Sequence, residues 1–308
     1  MSTAIHDIGY RHYDGPRLGR GQTLRALYTH NLRALFGLGR GAKAKIIPFA
    51  LAAFLLLPAL ADVAIKAIVK EAQFLIPMAA YGYGFQPLIA IFLAALAPVV
   101  ASREIRYRSV PLYFSRPVGP WDFVAAKFGA FATALVLLVG VPVTVMYVGF
   151  LLTRSSLIEA AQQGGGFGSV EDIPTVAGIT GDWALALLGV VLLALVLSSF
   201  ALLVAAFTPR RGFGVAAVIA LYLISNVVVG IVQGISQDRG AWDVAAWMNL
   251  FTPFNLVYSV QVALFDAESE PLIAVPDTAM GLTGLLLCVL VVAGSLAALH
   301  ARYRKAGA

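Results

Sequence analysis

SREIRYRSVPLYFSRPVGPWDFVAAK, residues 102–127, decides how this chain reads. The stretch is short and basic, with Arg103, Arg106, Arg108, Arg116 and Lys127 against only Glu104 and Asp122, and it is stiffened by Pro111, Pro117 and Pro120. Apolar runs flank it. Residues 72–102 hold 31 positions without a charge, and Phe128–Leu152 has none either. A helix needs about 20 apolar residues to cross a bilayer. Residues 102–127 therefore read as a polar elbow between two membrane spans.

The composition agrees with that frame. Of 308 residues, 60% are hydrophobic and 12% charged, whereas soluble domains carry about 25% charged residues. Helices whose outer faces meet lipid explain the deficit better than a soluble protein with a very large core. Six spans are expected. The first covers Ile46–Ile65, with Pro58 bending it and Asp62 near its outer end. The second lies within 72–102, beginning with a turn around Pro77 or tilting. Phe128–Leu152, Trp183–Phe207, Phe213–Ile235 and Ala279–Leu299 supply the other four, all free of charged residues. One Arg or Asp at a helix centre costs about 2.5–3.5 kcal/mol of insertion free energy, so plain lipid-embedded helices avoid them.

The flanking segments complete an expected all-α integral membrane fold. Residues 1–45 read as a cytosolic arm followed by an N-terminal interfacial helix. Over Gln22–Lys45, Leu24, Leu27, Leu32, Leu35 and Phe36 recur at helical spacing among Arg25, Arg33, Arg40, Lys43 and Lys45. That pattern suits an amphipathic helix in the membrane interface, or a solvated linker helix. Residues 46–308 form the six-span domain. Its outer loops are 153–182, glycine-rich and flexible, and 236–278. Within the second loop Trp242, Trp247, Phe251, Phe254 and Tyr258 are interrupted by Pro253. One or two helices resting on or dipping into the outer leaflet are expected there, a re-entrant segment between spans five and six that is a candidate lid.

Charge sets the orientation. With the N-terminus inside, the inner segments hold 18 of the 22 Lys and Arg residues, and basic bias is the established determinant. Both termini and the elbow are then cytosolic, in a cell membrane. The excess of Arg over Lys, with abundant Ala and Val, fits a bacterial gene of high G+C content. The net charge of +6 is thus a matter of topology, and no nucleic-acid partner is expected.

No catalytic constellation emerges. Cys288 stands alone, and His6, His12, His30 and His300 fit no metal-ligand spacing. Gly37, Gly39 and Gly41 lack the GK[ST] ending of a phosphate-binding loop. There is no GxSxG, HExxH or Walker motif, so no enzyme activity and no cofactor are expected in this chain. The span cores also lack the ionisable groups of an ion-driven transporter. Polar residues within the spans, with Tyr83, Thr144, Tyr147 and Asn226 foremost, are candidates for lining a substrate path. Asn226 serves equally as helix glue. Gly230 and Gly234 permit close helix approach. Energy for uphill transport would have to arrive from outside.

Here the elbow gains meaning. Ser115-Arg116-Pro117-Val118, the preceding Leu112-Tyr113-Phe114, the acidic Glu104 and the closing Ala126-Lys127 resemble the loop between spans two and three of ABC type-2 exporter permeases. Arg108-Ser109-Val110 departs from that pattern, where many members carry Gly-Thr. The resemblance covers about 26 residues. It implies a membrane-spanning subunit that pairs with a second permease chain and with two cytosolic ABC ATPase subunits, which bind ATP and Mg. In that picture the elbow is the coupling helix. Glu104, Arg106, Leu112, Tyr113, Phe114, Arg116 and Pro117 couple to the ATPase, Leu112, Tyr113 and Phe114 by apolar contact and Arg106 and Arg116 by charge. An apolar, uncharged wall suits an amphipathic or lipid-like substrate such as a drug, antibiotic, peptide or glycolipid. From a different class, a non-transporting membrane anchor or sensor would dock a cytosolic partner through the same loop. In a third view the arginines merely fix topology or bind anionic headgroups.

Overall fold

The computed structural model describes residues 15, 19–115, 118–164, 169–208, 210–265 and 277–307. Its long elements are α1 (Arg20–Leu35), α2 (Lys43–Ile68), α4 (Gln86–Ala101), α7 (Pro120–Gln162), α8 (Val176–Phe207), α9 (Arg211–Asp238), α11 (Pro253–Phe265) and α12 (Thr278–Gly307). Short pieces join them: α3 (Tyr81–Gly84), α5 (Arg103–Arg106), α6 (Val110–Phe114) and α10 (Trp242–Met248). Among the described residues five helices, α2, α7, α8, α9 and α12, are long and apolar enough to cross a membrane. The fold is that of an all-α, multi-pass membrane protein.

The expected second span departs from its neighbours. After Pro77 a turn returns the chain, with the Ala80 amide bonded to the Pro77 carbonyl at 3.0 Å. A single helical turn follows, and Phe85 breaks the path before α4 begins with Pro87 in its first turn. The result is a helix of only 16 residues, about 24 Å long at 1.5 Å per residue.

Other boundaries also move. The helix expected over Gln22–Lys45 stops at Leu35, because Gly37 turns left-handed (φ 65°) and brings the chain back on itself. A Cβ on Gly37 would lie 2.5 Å from the Ala44 carbonyl oxygen, so glycine alone fits. Lys43 and Lys45 consequently open α2. Helix α1 lays Tyr28 and Leu35 against α7 rather than facing lipid alone, and Tyr28 Oη donates to Thr133 Oγ1 at 2.9 Å. The third span is longer than its apolar core: α7 runs 43 residues, about 65 Å. Much of the expected outer loop 153–182 is therefore helix, and Gly165, Gly166 and Gly168 of the tract expected to be flexible lie outside the described residues.

The segment before α12 is helical, in line with the one or two helices expected there. It forms α10, a single 3-10 turn over Asn249–Phe251, and then α11, which starts at Pro253. The break falls where proline at the first helical position is favoured. Helix α11 packs between α8 and α12 with Phe254, Leu256, Val257 and Val260 buried. At the core of the bundle, α4, α7 and α8 enclose Phe92, Phe131, Leu135, Phe150 and Leu197. Glycines allow the closest approaches: a Cβ on Gly149 would sit 2.1 Å from Val63 Cγ2, and one on Gly189 would sit 1.6 Å from Gln261 Nε2. Helix α9 packs least, with a mostly apolar outer face through Ile224, Val227, Val228, Ile231 and Ile235.

Candidate functional site: the elbow and its brace

Two helices end at the elbow, and helix ends leave carbonyls without partners inside the helix. Here side chains from elsewhere satisfy them. At the end of α4, Lys127 Nζ donates to the Val100 carbonyl, and Tyr303 Oη donates to the Ala101 carbonyl at 2.7 Å. At the end of α8, Ser102 Oγ donates to the Ala205 carbonyl at 2.6 Å, and Arg302 Nε to the Ala206 carbonyl at 3.4 Å. Lys127 and Arg302 also bring positive charge to the negative ends of two helix dipoles. Four helices, α4, α7, α8 and α12, are stitched together at one level.

Lys127 is the hub. Its side chain is 3% exposed, and its ammonium meets Glu104 Oε2 at 2.9 Å while lying 4.6 Å from the Phe123 ring. Glu104, expected to face a partner, instead turns inward and braces α5 against α7. Tyr113 and Phe114 turn inward as well, with ring centroids 5.1 and 5.8 Å from Phe123, which meets Tyr303 edge-on at 5.1 Å. Trp121 stacks on His300 at 4.2 Å. At the start of α7, Asp122 accepts from the Gly119 amide and is gripped by Arg20 Nε and a second guanidinium nitrogen at 2.6–3.1 Å. That contact ties α1 to α7.

What faces outward is the tip. Leu112 is 70% exposed, and Arg103, Arg106, Tyr107, Arg108 and Pro111 are exposed beside it. Helix α5 ends in a hydrogen-bonded left-handed turn: the Arg108 amide bonds the Ile105 carbonyl, and the Ser109 amide bonds that of Glu104. Arg108 takes φ 52°, a conformation that glycine usually supplies. The departure of Arg108-Ser109 from the expected Gly-Thr thus leaves the turn in place, with a guanidinium projecting from it. Among the coupling residues expected from sequence, Arg106 and Leu112 are presented on the surface, and Glu104, Tyr113 and Phe114 form the support. Arg116 and Pro117 lie outside the described residues. Sequence reasoning missed Tyr303 and Ser102, whose roles exist only once distant helix ends are brought together.

The four candidate path residues fall at three places, with Thr144 and Tyr147 sharing one. Thr144 accepts from Trp183 Nε1 at 3.3 Å, and Tyr147 stacks on Trp183 at 4.7 Å while sharing a hydrogen bond with Thr180. Those two join α7 to α8, and Thr144 also lines an apolar crevice of about 560 Å³ with Leu60, Val63 and Val148. Tyr83 stacks on Tyr258 at 4.7 Å. Asn226 donates to the Tyr222 carbonyl of its own helix at 2.8 Å. Amides gather instead where α9 meets the segment before α12: Gln233 Nε2 and Asn255 Nδ2 both reach the buried Asn249 Oδ1, at 2.8 and 3.2 Å. Asp62 and Lys66, expected at the outer end of the first span, are a fully buried pair at 2.8 Å. Lys66 bonds the Gln73 carbonyl and Asp62 receives the Leu75 amide.

Comparison with protein-family models and with curated proteins finds no match to this chain.

Proposed function

We propose that this chain is the membrane-spanning subunit of an ATP-driven exporter of the ABC type-2 kind. One observation carries the reading: an exposed basic and apolar tip, Arg106, Tyr107, Arg108 and Leu112, stands on a support cross-linked to four helices. A surface that only repelled translocation of its arginines would need no such brace. A surface that receives a push does, because compliance at the point of loading wastes displacement.

In this reading α3 and α4 together, Tyr81–Ala101, make the sixth crossing, and the outer segment α10–α11 re-enters from the far leaflet. The elbow and both termini face the cytosol of a bacterial cell. Two ATPase subunits, carrying ATP and Mg, dock on the tip, and a second permease chain or lipid covers the apolar face of α9. The cargo is amphipathic or lipid-like. A membrane anchor or sensor docking a cytosolic partner through the same tip is the second reading, favoured by the separation of Tyr83 and Asn226 from the Thr144–Tyr147 pair.

Co-purification separates the two. Leu112→Glu changes an exposed side chain, so stability stays within about 0.5 kcal/mol of wild type. The wild-type chain brings down an ATPase whose turnover it stimulates, and Leu112→Glu, alone or with Arg106→Glu, loses both capture and stimulation. A captured partner without ATPase activity would establish the anchor. Unchanged capture by the double variant would remove the tip from the interface.

A further inference from the structure

Between α1 and the elbow lies a trough of about 650 Å³ into which Arg25, Arg33, Arg40 and Arg103 project together with His30. A second groove of about 310 Å³ shares Arg40 and Arg103 and continues to Arg106 and Tyr107. No carboxylate lines either one among the described residues. The nearby acids are engaged elsewhere, Glu104 by Lys127 and Asp122 by Arg20. Among the described residues, the trough is a concentration of positive charge with no acid to balance it.

Its depth identifies the occupant. Helix α2 begins at Lys43, and Ile46, Ile47 and Phe49 of its first two turns are exposed and apolar. Those side chains need acyl chains around them, so the headgroup plane passes within about 10 Å of Arg40 at 1.5 Å per helical residue. Leu38, exposed on the trough wall, continues that apolar collar. Arg guanidinium groups bind phosphate oxygens in a bidentate fork. We propose that this trough binds the phosphate headgroup of an anionic phospholipid in the adjoining leaflet, with Arg33 on one wall and Arg103 on the other. The lipid thereby clamps α1 to the elbow next to the Glu104–Lys127 brace, and anionic lipid content tunes how firmly the elbow is held. This holds whether or not the chain transports anything.

The test is a titration of phosphatidylglycerol into the detergent-solubilised full chain, read by native mass spectrometry, with phosphatidylcholine and inorganic phosphate as parallel arms. Wild type takes up phosphatidylglycerol in preference to phosphatidylcholine. Each arginine removed weakens it about fivefold, so Arg33→Gln with Arg103→Gln weakens it roughly 25-fold. Arg108→Gln, exposed on the tip but outside the trough, leaves it unchanged. Equal uptake of both lipids would overturn the proposal, as would equal loss in Arg108→Gln, which would mean diffuse surface charge. Saturation by inorganic phosphate with no gain from the lipid would mark a free-anion site. Intact phosphatidylglycerol uptake in the double variant, with loss of a bound ATPase, would make the trough a protein interface.

Discussion

Lys127→Met tests the brace most directly. Methionine retains the aliphatic volume of the lysine stem, so the change removes the ammonium with little cavity. It strips the donor from the Val100 carbonyl and leaves Glu104 facing a thioether. Breaking one side of a buried ion pair costs about 3–5 kcal/mol. Glu104 is 12% exposed and can recover some hydration, which puts Lys127→Met near the lower limit, about 3 kcal/mol. Glu104→Gln keeps an acceptor oxygen within reach and costs about 2 kcal/mol, the loss of a charge-assisted hydrogen bond. The double variant leaves no uncompensated charge and only the Val100 carbonyl unserved, for a total of about 2 kcal/mol. The coupling energy is then about 3 kcal/mol, at the top of the range for residues in contact. Reversible unfolding in mixed micelles titrated with sodium dodecyl sulfate measures all three variants. Lys127→Met within 0.5 kcal/mol of wild type, by the ~0.5 kcal/mol yardstick of a neutral surface change, would refute the hub, and so would strictly additive single variants.

Lys66→Met should cost about 3–5 kcal/mol by the same unfolding titration, since it strands Asp62 at 1% exposure. Joint replacement of Asp62 and Lys66 by Leu and Met recovers much of that loss; no recovery would mean the pair is not acting as a pair. Gly149→Ala should cost about 1–3 kcal/mol because its Cβ meets Val63. Gly234→Ala, with nothing within 4 Å of the added carbon, should leave an isolated chain unharmed. If it weakens self-association in cross-linking or light scattering, α9 faces a second copy at that position.

The spans were legible where apolar length alone decides, and less so where backbone chemistry does. Long charge-free runs located α8, α9 and α12, matching α9 to within three residues but missing the first seven residues of α8 and the last eight of α12. The same criterion overestimated the helix before the elbow, because Gly82, Gly84 and Pro87 lie inside an equally apolar stretch and break it without altering its hydropathy. It underestimated α7, whose ends, Pro120–Lys127 and Thr153–Gln162, are polar yet helical and project past the apolar core. At the elbow, arginine and proline mark the break between α4 and α7, but the inward turn of Glu104, Tyr113 and Phe114 depends on Phe123 and Tyr303 being brought together. No local pattern encodes Tyr303 capping α4. Asp62 and Lys66 do carry a local signal, the i,i+4 spacing of opposite charges, although their complete burial follows only from residues 73–75 folding over them.

Docking and transmission can be separated at the same brace. Glu104→Gln combined with Lys127→Met leaves Arg106, Leu112 and the left-handed turn at Arg108 intact, so an ATPase that docks on the tip still docks. The link from α5 to α7 is now weaker by about 3 kcal/mol of coupling, and force arriving at the tip is shared less directly with α7, which runs about 65 Å to the opposite end of the bundle. The expected result is normal ATPase capture with reduced stimulation of turnover and reduced export, in vesicles where both are measured on the same preparation. Leu112→Glu should behave in the opposite order, losing capture first. Should the brace variant export at the wild-type rate, displacement must enter α7 through Tyr113 and Phe114 against Phe123, and the ion pair would be a device for stability alone. Loss of capture in that variant would mean that the brace shapes the tip itself, and the separation of roles argued from the inward-facing Glu104 would be wrong.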